Sequence, residues 1–150
     1  MKRGSNMRFG SKEQKMKTII AIFLTNLFAL GCFATSSHAK DLFIIAHSSV
    51  TLSADEIHDV FVGDKQFVGA QKLIITDNAS VQTDFLTKVV KIESKRYNSL
   101  WVKKSFRDGL ALPAMKGGDA EVIAFVKNNP GAIGYVSAVP DGVKALAKFQ

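Results

Sequence analysis

The stretch Thr76-Asp77-Asn78-Ala79-Ser80 holds the side chains of this 150-residue sequence whose types and order best suit ligand binding. Thr, Asp, Asn and Ser all bond readily to nearby backbone, so the run reads as a turn after a strand and ahead of a helix. A helix N-terminus carries unpaired N–H groups, and a hydroxyl such as that of Ser80 beside them either caps the helix or helps to cradle an anion. Ser48 and Ser49 follow the apolar run 42–46, and the carboxyl end of a strand in an open α/β sheet is where such sheets bind ligands. The candidate ligand-binding residues are therefore Thr76, Asp77, Asn78, Ser80, Ser48 and Ser49. The competing reading of the same residues is a plain turn with a helix cap.

Other chemistries lack their residues. His47 and His58 fall in different elements with no cysteine or suitably spaced histidine beside them, whereas a zinc site needs three or four converging ligands. Ser48 and Ser49 next to His47 show no nucleophile-elbow pattern. No acid and base stand at a useful spacing, so the chain reads as non-enzymatic, with no catalytic residue, metal or cofactor. Arg96, Lys103 and Arg107, with Lys95 and Lys104, form a basic edge on a helix. Such an edge is a solvated face or a contact for anionic lipid or an acidic partner.

The formal net charge of +7 and a pI near 9.6 would suit nucleic acid only if the charges lay on the folded part. They do not: Lys2, Arg3, Arg8, Lys12, Lys15 and Lys17 face only Glu13 before residue 40, which leaves +2 on residues 40–150. Nucleic acid is thereby excluded as a partner. The basic start, the apolar run 18–34 and the small residues of Ser37-His38-Ala39 form a secretory leader, cut after Ala39. Met16 is an alternative start that would make 1–15 an upstream extension. Ala29-Leu30-Gly31-Cys32 loosely resembles a lipoprotein attachment box, with Ala29 where leucine is usual, so membrane attachment through Cys32 is the lesser alternative. With the cut after Ala39 the mature chain has no cysteine and needs no disulfide.

Residues 40–150 are enough for one domain with a modest core. The apolar run 42–46 predicts a strand. Ser53 and Glu56 form a capping box for a helix with Ile57, Val60 and Phe61 inward and Gly63 as a left-handed end. A strand over 72–75, the turn 76–80 and a helix over 81–90, with Phe85, Leu86, Val89 and Val90 inward, follow. A third helix is expected over 94–104, with Tyr97, Leu100 and Trp101 inward. Gly109, Pro113, Gly117 and Gly118 mark an irregular connection over 106–118. Asp119 caps a fourth helix that Asn128-Asn129-Pro130-Gly131 stops, and strands over 132–136 and 143–146 complete an α/β sheet covered on both faces. Gly131 and Gly134 allow a tight turn and close packing.

The run Asn129-Pro130-Gly131-Ala132-Ile133-Gly134-Tyr135-Val136 resembles the PGAIGYV signature of the phosphate-binding proteins of bacterial ABC importers. The segment from Leu52-Ser53 through Asp59-Val60-Phe61-Val62-Gly63-Asp64-Lys65, and Ala120 to Val126, are similar to that family in the same order. The resemblance covers nearly all of 42–140. It implies a type 2 periplasmic-binding-protein-like fold, a mixed sheet with helices on both faces, here as a single lobe without its opposing half. The family carries an Arg-x-Asp-Gly-Ser-Gly-Thr loop at the stretch that reads Ile75 to Val81 here. Asp77 is kept, but Ile75 stands at the Arg place, Ala79 at the Ser, Ser80 at the second Gly and Val81 at the Thr.

The resemblance implies an exported periplasmic substrate-binding-like protein, binding phosphate or another oxyanion as a component of, or accessory to, phosphate ABC transport. Its partners would be the oxyanion and a membrane transporter or sensor. A lone lobe offers half the walls of the usual site, so tight capture needs a dimer, a partner or a rearranged pocket. The alternative is a ligand-free interaction or sensory module that keeps the lobe's fold.

Overall fold

The computed structural model describes residues 41–150. The leader, its cut after Ala39, the start at Met16 and the lipid attachment at Cys32 lie outside the described residues. No helix among those described is long and apolar enough to cross a membrane.

An unbroken apolar run can be a strand only if both its faces are covered, and β1 (Leu42–Ala46) meets that condition. Leu42, Ile44 and Ala46 join the larger apolar cluster, while Phe43 and Ile45 pack in a second one. In α1 (Glu56–Phe61), Ile57, Val60 and Phe61 are buried as their spacing predicts. Half of the expected capping box forms: Glu56 Oε2 accepts the Ser53 N–H at 2.9 Å and its hydroxyl at 3.1 Å. Gly63 turns left-handed at φ 76°, and a Cβ there would lie 3.0 Å from Trp101 Cη2.

The next segment departs from expectation. Residues 67–72 form a small separate hairpin, β2 (Phe67–Val68) with β3 (Gln71–Lys72), and the main-sheet strand is β4 (Ile74–Asn78). Thr76, Asp77 and Asn78 are thus buried strand residues rather than a turn. The turn is confined to Ala79, Ser80 and Val81. The helix after it, α2 (Gln82–Phe85), relaxes into a π-helical turn over Leu86–Val90, and Phe85, Leu86, Val89 and Val90 are buried as expected.

The third helix, α3 (Ser94–Asp108), runs four residues past its expected end, to Gly109 at φ 66°. The connection read as irregular contains a strand, β5 (Ala114–Lys116), short enough to be hidden between Pro113 and Gly117. Asp119 begins α4 (Asp119–Asn128) but makes no capping bond to it. The strands β6 (Ala132–Val136) and β7 (Lys144–Phe149) close the chain, the latter beginning one residue later and ending three residues later than expected.

These elements make an α/β domain with a five-stranded mixed sheet, in the order β5-β4-β6-β1-β7, and four helices. The strand β4 runs parallel to β5 and β6, and β1 is antiparallel to β6 and β7. Side chains of α1, α2 and α3 fill one face with Ile44, Ile133 and Tyr135. On the other face Val122 and Val126 of α4 meet Ile45, Ala132 and Val136. The sheet is therefore covered on both faces. A Cβ at Gly134 would stand 2.7 Å from Val122 Cγ1, and one at Gly131, at φ 86°, would collide with the Lys72 carbonyl. Both glycines serve close packing.

Candidate functional site

The chain leaves β4 for α2 on one face and leaves β5 for α4 on the other. Adjacent parallel strands whose helices depart to opposite faces open a crevice at their carboxyl ends, where doubly wound sheets bind ligands. Asp77, Asn78 and Ser80 stand on the β4 side of this crevice, and Lys116, Gly117 and Gly118 on the β5 side. The Ala79 N–H donates to the Lys116 carbonyl at 2.9 Å and ties the two sides together.

Most of the polar capacity here is spent inside the chain. Asn78 Nδ2 donates to Asp119 Oδ1 at 2.6 Å and to the Tyr135 carbonyl at 3.1 Å. Asn78 Oδ1 accepts the Ser80 N–H at 3.1 Å and the Ser80 hydroxyl at 2.7 Å. All four hydrogen-bonding positions of the amide are used. Asp119 Oδ2 in turn accepts the N–H of Ser137 at 2.9 Å and its hydroxyl at 2.5 Å, which joins the start of α4 to the end of β6. Ser80 is exposed at the lip, so its hydroxyl is the part of this network that a solute reaches.

Asp77 faces the other side of the sheet. Its Oδ1 accepts the hydroxyls of Tyr97 and Tyr135, each at 3.2 Å, and its Oδ2 accepts Gln82 Nε2 at 3.4 Å. The ring of Phe85 stacks on Tyr135 with centroids 3.8 Å apart, and Phe61 meets both edge-on. No ion pair forms at Asp77 among the described residues. Burial among aromatic rings therefore pushes its carboxyl up to about 6, against the lowering effect of its three donors. Burial, and then the Asp77 charge, raise the phenols of Tyr97 and Tyr135 well above the usual range.

Thr76 points toward α4: its Cβ lies 3.6 Å from where a Cβ of Gly134 would stand, and its hydroxyl is buried with no partner among the described residues. The structure thus gathers Thr76, Asp77, Asn78 and Ser80 at one end of β4 but distributes them over both faces. Asp77 cannot share a ligand with Asn78.

Ser48 and Ser49 lie elsewhere. Because β1 is antiparallel to β6, its carboxyl end pairs with the beginning of β6, with Ala46 opposite Ile133. Ser49 Oγ there accepts the Gly131 N–H at 3.2 Å and bonds His47 Nδ1 at 2.8 Å. These serines do follow the carboxyl end of β1, but since β1 is antiparallel to β6 and β4 is parallel to it, that end lies opposite the carboxyl end of β4. His58 contacts Asp59 at 3.3 Å, away from His47. The basic edge on α3 is partly neutralised, by Lys104 with Asp64 and by Arg107 with Asp108 at 2.7 Å.

Sequence reasoning missed Tyr97, Tyr135, Asp119 and Ser137 as partners in these networks. Asp119 reads locally as a helix cap, and nothing in its neighbourhood points to Asn78. Electrostatically the crevice is mixed: Asp119 and Glu121 bring negative charge, Glu121 Oε2 accepts the Gly117 N–H at 3.1 Å, and Lys116 lies 4.5 Å over the Phe125 ring. The chain matches no protein-family model and no curated protein.

Proposed function

We propose that this chain is an exported, non-catalytic substrate-binding-like domain of the phosphate-importer type. It is a single lobe with a type 2 periplasmic-binding-protein-like fold, acting in the periplasm as an accessory to oxyanion uptake. The observation that carries the reading is the junction beyond the carboxyl ends of the parallel strands β4 and β5, whose helices leave to opposite faces of the sheet. It falls on the stretch 75–81 that resembles the family's anion loop, and α2 and α4 both begin beside it. A small oxyanion docks at its lip, against Ser80 and the start of α4. The opposing wall comes from a partner, because this chain spends Asn78 and Asp119 on each other.

Calorimetry of the purified chain with phosphate, sulfate and a neutral sugar tests this. With one wall only, phosphate binds at a dissociation constant on the order of a millimolar. The heat disappears in Ser80→Ala, and the sugar gives none. No heat with either anion, or a phosphate isotherm unchanged in Ser80→Ala, would contradict anion binding. Export is tested separately: N-terminal sequencing of the exported product gives Lys40 first, and an acylated Cys32 would overturn the cleaved-leader reading.

A second reading is favoured by the saturation of Asn78 and by the carboxylates of Asp119 and Glu121 beside the lip. In it the lobe's fold is kept for contact with a transporter or sensor, with no solute bound.

A further inference from the structure

The beginning of β4 borders a second concavity that the proposed function does not use. In β5, Ala114 pairs with Thr76, so Ile74 and Ile75 have no strand beside them on that side. A groove of about 430 Å³ fills the space, lined by Leu73, Ile74, Ile75, Trp101 and the 110–112 segment, with Gln66 and Lys72. Ile74 and Leu112 remain 38% and 54% exposed at its rim, an unusual position for large aliphatic side chains.

Gln66 and Lys72 are the two polar residues of this lining. The Leu73 N–H donates to the Gln66 carbonyl at 2.8 Å and Phe67 pairs with Lys72, so Gln66 and Lys72 stand near each other on the β2–β3 hairpin. Lys72 forms no ion pair with any described carboxylate. The remainder of the lining is aliphatic or indole. The volume is that of a small-molecule site, and Pro113, lacking an N–H, disfavours continuation of β5 by an added peptide strand.

We propose that this groove binds a small amphiphilic carboxylate. Its carboxyl group pairs with Lys72, and its apolar body lies against Ile74, Trp101 and Leu112. The proposal is independent of phosphate binding, because the two sites lie at opposite ends of β4.

Trp101 is the single tryptophan of the chain and lines the groove, so its fluorescence reports occupancy. The full chain is titrated with decanoate below its micelle-forming concentration, with decyltrimethylammonium as the control of opposite charge. Decanoate gives a saturable change in Trp101 emission, and the ammonium amphiphile does not. Lys72→Glu, at an exposed position and with an unchanged unfolding midpoint, weakens decanoate about tenfold or more. Leu112→Glu weakens it as well, and phosphate does not compete. Absence of a saturable change, an equal response to the ammonium amphiphile, or an affinity unaltered by Lys72→Glu overturns the proposal.

Discussion

The two ends of β4 are built to opposite rules within five residues. At the carboxyl end Thr76, Asp77 and Asn78 are polar and buried, and Asp77 and Asn78 are tied to residues far along the chain. At the amino end Ile74 is apolar and left partly open to solvent, and Ile75 is only partly covered. Ordinary burial preferences would place them the other way round. Asp77 and Asn78 stay buried because their bonds are met, the Thr76 hydroxyl being the exception, so the carboxyl end is a joint between sheet and helices. The amino end pairs with β6 but has no strand on its β5 side, and there the groove lies.

Three measurements would break or sharpen this contrast. The largest effect is expected at Asn78. Asn78→Leu keeps the branched outline but strands Asp119, Ser80 and the Tyr135 carbonyl, and it costs about 3 to 5 kcal/mol in denaturant unfolding. A loss below about 1 kcal/mol would mean that the joint carries little of the fold.

Asp77 comes next, through pH. Its carboxyl lies at about 6 in the folded chain against 3.8 when unfolded, so the folded state holds the proton more tightly. The group's contribution is therefore fully present below pH 4 and is lost as pH rises through 6. That amounts to about 3 kcal/mol between the two limits. Unfolding curves of the natural chain and of Asp77→Asn, compared across this window, should diverge by that amount, with the slope absent from the variant. Parallel curves would show that Asp77 ionises as freely as a surface carboxyl.

The smallest effect belongs to Thr76. Its hydroxyl is buried without a partner among the described residues, so Thr76→Val removes an unsatisfied group at nearly constant volume. A gain of about 1 kcal/mol is expected. A loss would reveal a hydrogen bond to that hydroxyl.

The same contrast explains what was legible in the sequence. Both β1 and β6 are uniformly apolar and were placed at their true bounds, because a strand covered on both faces leaves no room for polar residues. In β4 the rule misled: Thr76, Asp77 and Asn78 are turn formers by local chemistry. What buries them are Asp119, 41 residues away, and Tyr135, 58 residues from Asp77. Local composition does not record such distant partners. Three-residue β5 was invisible between Pro113 and the Gly117-Gly118 pair. With it went both the crevice and the groove, since each is defined by where β5 lies against β4.

Of the candidate site, Ser80 was legible as a hydroxyl at a helix start, and Asp77 and Asn78 as polar residues of consequence. That Asp77 and Asn78 serve opposite faces follows from their being adjacent in a strand, which the turn reading had concealed. That Ser48 and Ser49 lie at the other end of the sheet from Ser80 was not legible for a related reason: the direction of β1 relative to β6 is a property of topology, not of either run.

Amide chemical-shift mapping of the full chain, titrated separately with phosphate and with decanoate, tests the division of β4 most directly. The account predicts that phosphate moves Ser80 and residues 117–119, while decanoate moves residues 73–75, 110–112 and the Trp101 indole. A single set of resonances shifted by both ligands would contradict it.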